Sequence, residues 1–165
     1  MNKIYLAGGC FWGVEKFINM LYGVIRTEVG YGQSDILNPT YEDLCQSRSD
    51  ACEVVMVVYD QNIINLERLL EKFFMIIDPT SLNRQGADRG IQYRSGIYFE
   101  DLDDKIIIDN YINSIKHNYI KDIVVEVQKL QNYTKAEDYH QKYLDKNKNG
   151  YCHINFNNFS EEDFK

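Results

Sequence analysis

Residues 3–31 read KIYLAGGCFWGVEKFINMLYGVIRTEVGY, and the fold turns on this stretch. Residues 3–7 are mostly apolar over a strand's length and run into Gly8 and Gly9. Val14, Phe17, Ile18 and Leu21 then fall at i, i+3, i+4 and i+7, the apolar stripe of a helix. Gly23 stops that helix, and residues 24–31 return to strand. A strand, a glycine hinge, a helix and a second strand within thirty residues mark a layered domain of helices on a sheet.

The rest of the chain extends the pattern. After a polar loop over 32–38, Pro39-Thr40 with Asp43 predicts a short helix opened by a reciprocal cap. Residues 53–59 are a near-continuous β-branched run, expected to form a strand buried on both faces. Leu66, Leu69, Leu70, Phe73 and Phe74 share one side of an amphipathic helix that Asp78-Pro79 closes. Residues 80–92 are polar and long for a connection, the kind of loop that carries function. Strand is expected over 93–99, helix over 102–115, strand over 123–127, helix over 136–144, and an irregular tail from Tyr151. The fold class is therefore α/β (α+β): a two-layer sandwich, its mixed sheet covered by helices, with a ferredoxin-like core.

Length and charge narrow the function. A chain of 165 residues with 44% hydrophobic content is expected to form one globular domain, residues 1–165. A net charge of −7 argues against nucleic acid or an anionic membrane as partner, since both need clustered Lys and Arg. The opening residues lack the apolar core of a signal peptide, and no run approaches a membrane span, so the cytoplasm is the expected location. The four cysteines, Cys10, Cys45, Cys52 and Cys152, form no Cys-x-x-Cys pair. In such a chain they are catalytic, metal-binding or simply buried sooner than a disulfide framework.

Cys10 stands out because Gly8-Gly9-Cys10-Phe11-Trp12-Gly13 lies where strand becomes helix. A thiol at a helix N-terminus meets the positive end of the dipole, which favours the reactive thiolate. Phe11 and Trp12 can wall an apolar pocket beside it or pack into the core. Cys10 thus reads as a candidate nucleophile, with a buried cysteine at a helix cap as the alternative.

Gly9-Cys10-Phe11-Trp12-Gly13-Val14-Glu15 resembles the signature of the A-type peptide methionine sulfoxide reductases. Further blocks resemble the family in order: Gly30-Tyr31-Gly32, Asn38-Pro39-Thr40-Tyr41, Glu53-Val54-Val55 and Asp78-Pro79-Thr80. Arg84-Gln85-Gly86, Asp88, Gln92-Tyr93-Arg94-Ser95, Ala136-Glu137-Asp138-Tyr139-His140-Gln141 and Gly150-Tyr151-Cys152 follow. The resemblance implies a thiol redox enzyme that needs no metal or organic cofactor and reduces methionine S-sulfoxide, free or in proteins. It implies Cys10 as nucleophile, Glu53 as the acid that protonates the sulfoxide oxygen, and Tyr41 and Tyr93 as hydroxyl donors to it. Phe11, Trp12 and Asp88 would bind substrate, and Cys152 would resolve the sulfenic acid on Cys10 as a disulfide. The implied partners are thioredoxin or a similar dithiol and oxidised proteins or free methionine sulfoxide, with no nucleic acid, no membrane and a monomeric chain.

The chain departs from the family at Ala51, where many members carry His, and at Cys52, where a small residue is common. No cysteine follows Cys152, and His153-Ile154-Asn155-Phe156 replaces a glycine-rich tail. Cys45 is expected to be buried and inert, and His140 to serve the network around the site. Two other readings are a metal-binding module using Cys45, Cys52, Cys152 and His153, and a cysteine hydrolase pairing Cys10 with His140.

Overall fold

In the computed structural model, which describes residues 1–156 and 159–165, six strands form one mixed sheet. The chain runs β1 (Asn2–Gly8), α1 (Phe11–Met20), β2 (Val24–Gly32), α2 (Tyr41–Cys45), β3 (Cys52–Tyr59) and α3 (Leu66–Phe74). It continues through a two-stranded hairpin, β4 (Arg84–Gln85) and β5 (Asp88–Arg89), to β6 (Ser95–Phe99) and α4 (Leu102–Ile115). It ends in β7 (Glu126–Lys129), β8 (Thr134–Lys135) and the one-turn α5 (Tyr143–Lys146). The sheet order is β7-β6-β1-β3-β2-β8. Its central four, β6-β1-β3-β2, pair with one another antiparallel throughout, with α1 and α3 as crossovers, which is the ferredoxin-like split β-α-β arrangement. Among the described residues, only β7 runs parallel to its neighbour.

Alternation along the strands decides which residues meet which layer. Ile4 and Leu6 of β1 and Val55, Val57 and Tyr59 of β3 join the main core with Phe17 and Ile18 of α1 and Leu69, Leu70 and Phe73 of α3. Full burial of each such side chain contributes roughly 1.5–3 kcal/mol. Tyr5, Ala7, Cys52, Val54, Met56 and Tyr98 face the other way, where Leu130 and Tyr133 cover them. The β-branched run is thus buried on both faces, as its composition predicts. The Thr40 cap is also present: Thr40 Oγ1 accepts from Asp43 N at 3.1 Å while Asp43 Oδ2 accepts from Thr40 N at 2.9 Å.

Three expected elements differ. The long polar loop contains the β4–β5 hairpin, and Tyr93 lies in a 3₁₀ turn (Ile91–Tyr93) before β6 begins at Ser95. The late strand forms at Glu126–Lys129, three residues beyond its expected start, where the chain meets β6. No continuous helix spans residues 136–144; a 3₁₀ turn (Asp138–His140) and α5 flank Lys142, which is left-handed at φ 53°. The reason is that side chains here bond to distant elements. Glu137 accepts from the Tyr31 hydroxyl at 2.8 Å and from Tyr41 N at 3.2 Å. Gln141 accepts from Val29 N at 3.0 Å and donates to Val29 O at 2.8 Å. Lys142 donates through N at 2.7 Å and Nζ at 3.0 Å to the buried carboxylate of Glu15 on α1. These bonds strap the C-terminal third across α1 and β2.

Candidate active site

The site is built where β1 hands over to α1. Gly9 has φ +85°, and a Cβ there would lie 2.6 Å from Cβ of Gln85, so glycine alone lets the hinge close on the hairpin. Gln85 is buried and fastens the hairpin below the hinge by two bonds to the Asp78 backbone, at 2.9 and 2.8 Å. Cys10 follows as the N-cap of α1, only 7% exposed.

Glu53 begins the inward-facing row of β3, directly opposite Tyr31 on β2. It is 2% exposed; Oε1 accepts from Phe11 N at 3.2 Å and Oε2 from Gln92 Nε2 at 3.1 Å. The Phe11 amide is one of the free donors at the start of α1, so the carboxyl is anchored one residue from the nucleophile. Burial pushes the Glu53 carboxyl up to about 8 against these two bonds, with Asp88 adding to the rise. At neutral pH it is a proton donor.

The thiol expectation needs correcting. The helix start favours thiolate, and a backbone hydrogen bond from Trp12 pulls in that direction. Burial outweighs it, and the carboxyls of Glu53 and Asp88 add to the effect, so the Cys10 thiol is pushed far above its ordinary range. Cys10 and Glu53 both hold protons in the resting site.

Tyr41, at the start of α2, and Tyr93, in the 3₁₀ turn, have hydroxyls raised first by burial. A bond with Cys45 and the charge of Glu53 raise Tyr41 further; Glu53 and Asp88 do so for Tyr93. Both phenols therefore keep their protons, and both feel the same carboxyl. Asp88, on β5, has a buried Oδ2 with no hydrogen-bond partner. Phe11 is 1% exposed, its ring against Tyr31 and His140. Trp12 is half-buried, stacks on Tyr143 at 3.7 Å between ring centroids and donates Nε1–H to His140 Nδ1 at 3.0 Å.

The four cysteines are free thiols in different settings. Cys152 is half-buried, and its sulfur lies 2.9 Å from where a Cβ on Gly13 would sit, in the first turn of α1. Cys52 sits on the opposite face of the sheet from Glu53, its sulfur 3.3 Å from the Tyr98 hydroxyl, and burial pushes its thiol up to about 11. Cys45 is exposed at the end of α2, contrary to its expected burial, because Leu44 and, in part, Tyr41 are the residues that α2 turns inward. Cys52 and Cys152 on opposite sides of the sheet cannot share a metal, which removes the metal-module reading. The hydrolase reading fails for a different reason: with Nδ1 accepting from the indole of Trp12, neutral His140 carries its proton on Nε2 and has no free basic nitrogen.

The family model described as peptide methionine sulfoxide reductase matches residues 2–165. The chain belongs to that family. Among its relatives is the peptide methionine sulfoxide reductase MsrA of Clostridium perfringens strain 13, 58% identical over 154 residues, which are 93% of this chain and 98% of that protein. The reduced-form crystal structure of Mxr1 from Saccharomyces cerevisiae superposes with a TM-score of 0.85 at 34% identity, covering 92% of this chain and 88% of that one. The structure of Mxr1 in complex with Trx2 shares the fold at a TM-score of 0.60 and 22% identity, over 86% and 84% of the two chains.

Within this family member, Gln92 and Glu137 hold the site together, and neither role is visible in the local sequence. Gln92 donates to Glu53, and Glu137 joins β2 to α2. Both are polar residues in irregular segments, whose partners lie 39 or more positions away.

Proposed function

We propose that this chain reduces the S epimer of methionine sulfoxide, free or in proteins, to methionine, using thiols alone. The observation that carries the reading is the protonated Glu53 carboxyl, buried and bonded to the amide next to Cys10. In the reaction the sulfoxide oxygen takes a proton from Glu53 as the sulfur of Cys10 attacks. The Cys10 proton returns to Glu53, the sulfur–oxygen bond of the substrate breaks, and oxygen leaves on Cys10 as a sulfenic acid. Atoms balance: sulfoxide and thiol give sulfide and sulfenic acid.

Tyr41 and Tyr93 would donate to the polarised oxygen, holding it where Glu53 can reach. Phe11 and Trp12 would receive the S-methyl group, and Asp88 would orient the substrate. Cys152 would then condense with the sulfenic acid, releasing water and leaving a Cys10–Cys152 disulfide. A dithiol such as thioredoxin would reduce that disulfide. The yeast relative solved with Trx2 supports this choice of partner. We propose that the chain acts in the cytoplasm as a monomer.

An epimer-resolved assay with dithiothreitol tests the reading. Consumption of S-sulfoxide alone is the expected result. Equal consumption of both epimers, or of neither, would overturn it.

A further inference from the structure

The residue after Cys152 is a histidine for which the proposed reaction has no use. His153 is half-buried, and both its ring nitrogens are shielded from solvent with no hydrogen-bond partner. The Gly8 backbone lies beside the ring and favours its protonated form. An imidazole withdrawn from water normally ties up at least one nitrogen, so one that ties up neither is available for proton transfer.

Its position is specific. Ring carbon Cε1 is 3.5 Å from where a Cβ on Gly9 would lie and 3.7 Å from the corresponding point on Gly13. The imidazole therefore spans the two glycines that bracket Cys10. The Cys152 sulfur is 2.9 Å from the same Gly13 point, which places thiol and imidazole on one patch of the first turn of α1. His153 Cβ also lies 3.3 Å from the point above Gly86, in the β4–β5 hairpin. The charged group that acts on the ring is Asp88 from β5; Cys152 adjoins it in the chain, and the Tyr151 hydroxyl lies 3.9 Å from the same point above Gly86.

We propose that His153 is the proton carrier of the recycling step, the closure of Cys152 onto oxidised Cys10. The inference rests on the proposed sulfenic acid chemistry. Neutral imidazole takes the proton from the Cys152 thiol as its sulfur attacks the sulfur of Cys10. The S–S bond forms, the S–O bond breaks, and the departing hydroxide receives that proton and leaves as water. Cys152 is oxidised and Cys10 reduced by one formal electron each, so no outside reductant enters this step. Burial holds the His153 imidazole below its ordinary value, against the opposing pull of Asp88 and the Gly8 backbone, so the ring is neutral and basic at neutral pH. The Cys152 thiol is raised by burial and needs such a base.

The test separates the two half-reactions in the full chain. One equivalent of methionine S-sulfoxide is mixed with reduced protein and no reductant. Methionine formation is followed by chromatography, and disulfide closure by loss of titratable thiols, from pH 5 to 8. In wild type, closure should accelerate as pH rises through an imidazole limb below about 6.5 and then level. His153→Gln should still yield one equivalent of methionine, while closure slows on the order of 10²-fold and loses the limb. Closure in His153→Gln within threefold of wild type would overturn the inference. So would a wild-type closure rate without that limb, a measurement that needs no variant. Failure of wild type to form methionine would sink the proposed function itself, a distinct outcome.

Discussion

Replacing Glu53 by Gln tests the acid through stability as well as rate. Gln keeps the shape and can still accept from Phe11 N, while the Gln92 amide can turn to present its oxygen. What it removes is the proton. The Glu53 carboxyl rises from 4.5 to about 8 on folding, a gap of roughly 3.5 pH units at about 1.36 kcal/mol each. Relaxation and water entry reduce the upper figure of nearly 5 kcal/mol, leaving about 2–5 kcal/mol. Between pH 4.5 and 8 the folded protein holds a proton that the unfolded chain has released, so wild-type stability falls as pH rises through that window. The Glu53→Gln variant has no such slope. Urea denaturation of both proteins from pH 4.5 to 9 should show the variant gaining on wild type by about 2–5 kcal/mol, other titrations cancelling in the difference. In single turnover the wild-type rate of methionine formation should fall above about pH 8, and the variant should lack that limb and run about 10²–10⁴ slower. Parallel stability curves would show that Glu53 is ionised in the native protein, and a persisting limb would assign the acid elsewhere.

Further outcomes follow from the geometry. Cys10→Ser should abolish turnover with every reductant, because no other cysteine lies at the start of α1; substantial activity in that variant would refute the nucleophile. Cys152→Ser should release one equivalent of methionine and leave a trappable sulfenic acid, while turnover with thioredoxin stops. Peptide mapping of oxidised wild type should find Cys10 joined to Cys152, since Cys52 faces the far side of the sheet; a Cys10–Cys52 bridge would reverse this. Gly30→Ala places a Cβ 2.5 Å from the Tyr133 ring and 2.6 Å from Thr134 O, and should cost about 1–3 kcal/mol by urea denaturation.

The elements legible in the sequence are those whose own apolar spacing determines them. The stripe Val14, Phe17, Ile18 and Leu21 predicts α1, and the run ending at Tyr59 predicts β3, because burial of that pattern is the main driving force. Residues 136–144 defy their local pattern for the opposite reason. Glu137, His140, Gln141 and Lys142 each bond a group over a hundred positions away or on another element, and those partners outweigh local helix propensity. The ionisation of Cys10 escapes a local reading in the same way. The helix start is visible in sequence, whereas the burial and the carboxyls of Glu53 and Asp88 that oppose it are assembled only by the fold. His153 carries no local signal at all; two glycines that accept its ring, Gly9 and Gly13, are some 140 positions upstream.

At the margin of the sheet, the Gln141 side chain does the work of backbone. β8 pairs with β2 only at Gly30 and Tyr31, which would leave the Val29 N–H without a backbone partner. The carboxamide of Gln141 occupies that place, accepting from Val29 N and donating to Val29 O as a neighbouring peptide group would, while Ala136 N also binds Val29 O at 3.0 Å. A single side chain thus counterfeits one rung of a missing strand. It ends the ladder at β2, so that a neutral amide stands at an edge where charge or proline is the commoner sentinel.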